Sequence, residues 1–119
     1  MSDRLGDKAR LLHIVESVDK IESYLGNSTY EDFEGNPMMK DACIRNLGII
    51  GEASNRVSKE IQEQHQEVPW RQIIGLRNIV VHEYFGIDVN IVWDIIKFNL
   101  PNLKQQVKNI IEGLDENPA

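Results

Sequence analysis

Only one cysteine, Cys43, occurs in the 119 residues, so an internal disulfide is excluded and a reducing, cytoplasmic setting is expected. It stands among apolar neighbours, which reads as a small buried hydrophobe. No run of about 18 apolar residues is available to cross a membrane. The opening stretch Met1–Lys8 is charged and lacks the apolar segment of a secretory signal. Strand-period alternation, hairpin turns and internal repeats are missing too, which argues against the β classes. No His, Cys or carboxylate cluster has metal-ligand spacing, and there is neither a phosphate-cradling glycine loop nor a nucleophile elbow. No metal or other cofactor is therefore expected. Positive charge is scarce as well: 13 Lys and Arg face 19 Asp and Glu, a net charge of −6. Coating nucleic acid by bulk electrostatics needs many cations, so any nucleic-acid chemistry must come from a local cationic site. A basic partner suits the same balance.

What is present is helical periodicity. Leu11, Ile14, Val18, Ile21 and Leu25 recur at alternating steps of three and four, one buried stripe on a helix from Asp3 or Asp7 to Leu25. Gly26-Asn27-Ser28 ends it, and a loop is predicted over Tyr30–Gly35 with its aromatics against the bundle end. Asn36-Pro37 is a cap followed by a first-turn proline, opening a second helix predicted to reach about His65. Its seam is Met39, Cys43, Leu47, Ile50, Ser54, Val57 and Ile61. Gly48, Gly51, Ala53 and Ser54 form a small-residue patch fitted to close helix approach, either within one chain or across a dimer seam. A third helix starts at Pro69-Trp70 and turns Ile73, Ile74, Leu76 and Val80 inward. Asp88 caps a fourth, long helix, in which Pro101 lacks a donor and predicts a kink or restart near Asn99. The expected fold is all-α, a compact bundle of four or five helices over residues 1–114, with a frayed tail at 115–119.

One stretch gathers chemistry: Leu76-Arg77-Asn78-Ile79-Val80-Val81-His82-Glu83-Tyr84. Arginine grips phosphate through a planar fork, and histidine can move a proton near neutral pH. On an α-helix Asn78 and His82 share a face, and Tyr84 falls seven residues after Arg77. The pattern fits phosphodiester chemistry, in which an RNA 2′-hydroxyl attacks, His82 moves a proton and Arg77 stabilises phosphoryl charge. Structural roles fit the same residues. His82 suits a helix C-terminus, Arg77 could pair with Glu52, Glu83 or Asp88, and Tyr84 and Phe85 could be core aromatics. His13 and His65 are isolated in polar helix-surface contexts.

Arg77-Asn78-Ile79-Val80-Val81-His82 resembles the arginine–four residues–histidine motif of HEPN-domain proteins. His82-Glu83-Tyr84 resembles its extension in HepT-like toxins, as do Ile50–Ser58, Pro69–Asn78 and Asp88 opening a proline-interrupted final helix. The resemblance spans essentially the whole chain. It implies a helical bundle that homodimerises, uniting two motifs in one cleft, and a metal-independent endoribonuclease whose substrate is RNA. In such a toxin, Arg77 and His82 would be catalytic and Asn78 supporting. It further implies a nucleotidyltransferase antitoxin as partner, able to adenylylate the motif tyrosine, here Tyr84. The acidic balance suits a second reading, a non-catalytic helical subunit that binds the nucleotidyltransferase.

Overall fold

The computed structural model describes residues 4–79, 86 and 88–116, and every described element is helical. The order is α1 (Arg4–Leu25), α2 (Tyr30–Glu34), α3 (Pro37–Arg56), α4 (Lys59–Gln64) and α5 (Trp70–Gly75). A 3-10 turn, Leu76–Asn78, follows α5. The last helical run comprises α6 (Val89–Asp94), a π-helical turn Ile95–Asn99, and α7 (Leu100–Glu116). Among the described residues no helix is long and apolar enough to cross a membrane.

The α1 stripe is the spine of the core. Leu11, Ile14, Val18 and Ile21 are fully buried, and α1 packs against both α3 and α7. Gly26 ends α1 at φ +52°, a left-handed angle that glycine adopts without steric cost. The next segment is a one-turn helix where a loop was expected. Thr29 Oγ1 accepts from Asp32 N–H, and Asp32 Oδ2 accepts from Thr29 N–H, both at 3.1 Å. That reciprocal box satisfies two orphan donors and starts α2. Phe33 is fully buried, and Trp93 of α6 packs against both Phe33 (5.4 Å) and Tyr30 (5.8 Å, edge-on). The aromatics thus do pin this end of the bundle.

Asn36 caps α3 as predicted, its Oδ1 accepting from Met39 N–H at 3.0 Å. The helix then stops at Arg56 and does not run on to His65. Ser58 donates both its N–H and its hydroxyl to the Asp7 carboxylate, each at 2.8 Å. A continuous helix would need that N–H for the Ser54 carbonyl, which instead receives Val57 N–H (3.2 Å) and the Gln62 amide (3.4 Å). Ser58 Oγ then caps α4 by accepting from Ile61 N–H at 3.3 Å. Asp7 is 3% exposed, so its bonds to Ser58 are desolvated. Asp7→Ala strands Ser58 N–H and removes two bonds to a charged acceptor, and should lower stability by about 1.5–3 kcal/mol. Urea unfolding measures this; an unchanged midpoint would refute the tie.

Cys43, Leu47, Ile50 and Ser54 of the α3 seam have no exposed surface, so this seam is consumed by the chain's own core and is not a face for a second copy. Burial also pushes the Cys43 thiol up to about 11, away from the thiolate that reacts. Asp88 caps α6, its Oδ1 accepting from Asn90 N–H at 2.9 Å. Ahead of Pro101 the helix widens into the π turn, and Leu100 keeps helical angles (φ −65°, ψ −39°). An α-helical carbonyl four residues before a proline would meet the ring and lack a donor, so the irregularity falls where Pro101 demands it. At the far end α7 reaches Glu116, and Asp115 pairs with Lys8 at 2.7 Å.

Candidate functional site

The structure places Arg77 and Asn78 on the 3-10 turn that follows α5, both exposed. His82 and Tyr84, together with Val80, Glu83 and Phe85, lie outside the described residues. The turn is anchored from both directions. Upstream, Trp70 is 7% exposed and its indole N–H donates to the His65 carbonyl at 2.9 Å. Ile73, Leu76 and Ile79 are buried in the core around it. An exposed arginine is thus carried on a backbone that three buried apolar side chains hold in place.

Gly51 of α3 is what lets that backbone sit where it does. A Cβ at position 51 would lie 2.4 Å from Arg77 N, 3.0 Å from the Ile74 carbonyl oxygen and 3.1 Å from Arg77 Cα. No side chain fits between α3 and the turn. Gly51's share in the small-residue patch therefore serves packing inside one chain, the first of the two roles its composition allowed.

Among the described residues no ion pair ties Arg77 to either of its two described candidate partners. Glu52 pairs with Arg56 instead (3.3 Å), and the Asp88 carboxylate is engaged as a helix cap. The Arg77 guanidinium can therefore meet an incoming anion without first leaving either carboxylate. One expectation, the α-helical face shared by Asn78 and His82, runs through residues 80–82, outside the described ones. Ahead of it, Leu76–Asn78 tighten to 3-10 geometry, advancing about 120° per residue in place of 100°, and Ile79 returns to α-helical angles (φ −60°, ψ −38°). That change of pitch was not visible in the motif.

The other histidines have separate roles. His13 is exposed on α1 and lines a shallow groove with Arg10 and Arg56. His65 ends α4, with Nδ1 3.3 Å from Glu67 Oε2. Its backbone carbonyl accepts the Trp70 indole N–H, while its side chain is 32% exposed. Among the described residues no three His, Cys, Asp or Glu side chains gather closely enough to hold a metal ion.

A profile of the family described as "Ribonuclease HepT-like" matches residues 14–110. The chain belongs to the HepT-like family. The HepT-like match includes the α3 glycine, the Arg77 turn and most of the last helix. Relatives at similar distance agree with it. A Methanocaldococcus jannaschii protein named "Putative RNase MJ1216" is 38% identical over 113 residues, covering 92% of this chain and 93% of its own. The "Probable ribonuclease HepT" of Thermococcus cleftensis is 35% identical over 103 residues, 87% of this chain and 94% of its own. A longer M. jannaschii protein, "Gamma-glutamylcyclotransferase and putative RNase MJ0434", is 37% identical over 110 residues, and the chain spans 50% of its length. No solved structure matches the chain.

Proposed function

We propose that this chain is a metal-independent endoribonuclease, the toxin of a toxin–antitoxin pair, acting as a homodimer whose motifs share one cleft. The observation that carries the reading is Arg77, exposed and unclaimed by Glu52 or Asp88, on a turn pinned against Gly51 within the HepT-like match. In the reaction the substrate's 2′-oxygen attacks the adjacent phosphorus and the P–O5′ bond breaks. His82 accepts the proton from the 2′-hydroxyl or supplies one to the departing 5′-oxygen, and two motifs in one cleft allow one imidazole for each task. Arg77 stabilises the charge that gathers on the phosphoryl oxygens. Asn78 orients the pair. Because the nucleophile belongs to the RNA, no metal is required, and the products are a 2′,3′-cyclic phosphate and a 5′-hydroxyl. The test is cleavage of RNA by the wild type against His82→Ala, with and without chelator.

The partner in this reading is a nucleotidyltransferase antitoxin that transfers an adenylyl group to Tyr84. A bulky phosphodiester two residues from His82 excludes the substrate phosphate sterically and by like charge. Co-expression with such an enzyme should add one adenylyl mass to the Tyr84 peptide and silence cleavage. Tyr84→Phe should remain active and escape control, since the phenol carries no proton in the reaction. Neutralisation of Tyr84→Phe by the partner would replace modification with simple binding.

A further inference from the structure

Several cations of this acidic chain are engaged locally. Lys8, Arg56 and Lys104 pair with carboxylates, Arg10 donates to the Gly6 carbonyl, and Lys97 lies over the Trp93 ring. Lys59 and Arg71 are exposed and differ. Among the described residues neither forms an ion pair with a carboxylate. Both line one shallow groove of about 460 Å³ between α4 and α5, together with Trp70, Ile74 and the amides of Gln62 and Gln66. Glu63 is the one carboxylate among its described lining residues.

Helix electrostatics does not account for where these two cations stand. Lys59 is the first residue of α4 and Arg71 the second of α5. A helix's first turn carries the positive end of its dipole and favours carboxylates over cations. Lys59 precedes Glu63 by four residues, the weaker order for an intrahelical pair. Each cation is thus set against its own helix end, and both face one groove on a protein of net charge −6. An anion in that groove is attracted to both.

Placement against the nuclease site gives the anion its identity. α5 passes without a break into the 3-10 turn, Gly75 and Leu76 both keeping right-handed helical angles. Arg71, Ile74 and Arg77 follow at steps of three, and side chains three apart share a face in either kind of helix. Arg71 and Ile74 line the groove, so Arg77 stands one turn further along the same side. From Arg71 to Arg77 is about 10 Å along the axis. A strand with several phosphates spans that row, and one small anion does not.

We propose that the α4–α5 groove carries the RNA strand toward the Arg77 site, with Lys59 and Arg71 holding backbone phosphates that flank the scissile one. This rests on the ribonuclease reading. Phosphate contacts of this kind position a strand without reading its bases.

The experiment compares wild type with a groove variant, Lys59→Gln combined with Arg71→Gln. A control, Lys20→Gln combined with Lys108→Gln, removes the same charge from exposed positions on α1 and α7. Each protein is given a ten-nucleotide RNA and a dinucleoside monophosphate, whose only phosphate is the scissile one. On the ten-mer the groove variant should raise KM about fivefold at low salt with kcat unchanged, the scale of two exposed ion pairs. The rise should be the same for ten-mers of different sequence. The slope of log affinity against log salt should fall by about 1.4, about 0.7 for each phosphate released. On the dinucleoside monophosphate the groove variant should match wild type, and the control should match it on both substrates. Equal loss on both substrates, an equal loss in the control, or no loss on the ten-mer would overturn the groove while leaving the nuclease intact. If wild type cuts no RNA, the ribonuclease reading fails. Binding of a 2′-O-methyl ten-mer, read by fluorescence anisotropy, then decides the groove alone. Affinity lowered in the groove variant and kept in the control supports it, and equal or absent affinity in all three proteins overturns it.

Discussion

His82→Ala should lower RNA cleavage by roughly 100- to 10,000-fold, the range supplied by a positioned general acid or base. Arg77→Ala should lose a comparable amount, since removing one preorganised donor to a developing oxyanion costs about 100- to 1,000-fold. Arg77→Lys should fail as well, because lysine keeps the charge but not the planar two-point grip on phosphate. Stability decides whether such losses are chemical. Arg77 is exposed and, among the described residues, paired with neither Glu52 nor Asp88, so its replacement removes no buried contact. Surface changes of this kind fall within about 0.5 kcal/mol. Thermal unfolding should therefore be nearly unchanged in the Arg77 variants while cleavage collapses. Products should end in 2′,3′-cyclic phosphate, and chelators should not inhibit. Full activity in His82→Ala would reduce the chain to the alternative, a non-catalytic helical subunit bound to a nucleotidyltransferase.

Local signals were legible from the residues. The stripe on α1, the Asn36 and Asp88 caps and the turn at Gly26 each depend on neighbours within a few positions, and each is found where expected. The break after Arg56 was not legible, because its cause is Asp7, 51 residues away from Ser58. Heptad spacing continues through Val57 and Ile61 whether or not the backbone does, so periodicity alone reads the two helices as one. The α2 turn did leave a signal in Thr29-Tyr30-Glu31-Asp32, a capping box with Asp32 in the place usual for glutamate. For the site, residue types pointed to Arg77 and Asn78, and both are exposed on one turn. The 3-10 pitch depends on how α5 meets α3. His82 and Tyr84 rest on motif and chemistry.

Gly51→Ala should damage this protein far more than a single methyl group suggests. In an exposed helix the exchange gains about 1 kcal/mol of helix propensity. Here the added carbon would stand 2.4 Å from the Arg77 nitrogen and 3.0 Å from the Ile74 carbonyl, contacts with backbone that no rotamer change relieves. Either α3 or the turn has to move. Overpacking costs typically about 1–3 kcal/mol, which offsets the propensity gain and leaves a net loss of stability. The effect on cleavage should be larger. Where the turn yields it takes Arg77 with it, and a displacement of about 1 Å in a positioning group can cost on the order of 100-fold. Gly75→Ala provides the contrast. Gly75 lies in the same helical segment at φ −61°, ψ −20°, with nothing within 4 Å of a Cβ. That substitution should leave cleavage unchanged and stabilise by about 0.4–1 kcal/mol through the unfolded chain. Urea unfolding and cleavage, measured on both variants at a temperature where each is fully folded, separate the two effects. Wild-type activity in folded Gly51→Ala would mean that the close approach of α3 does not position Arg77.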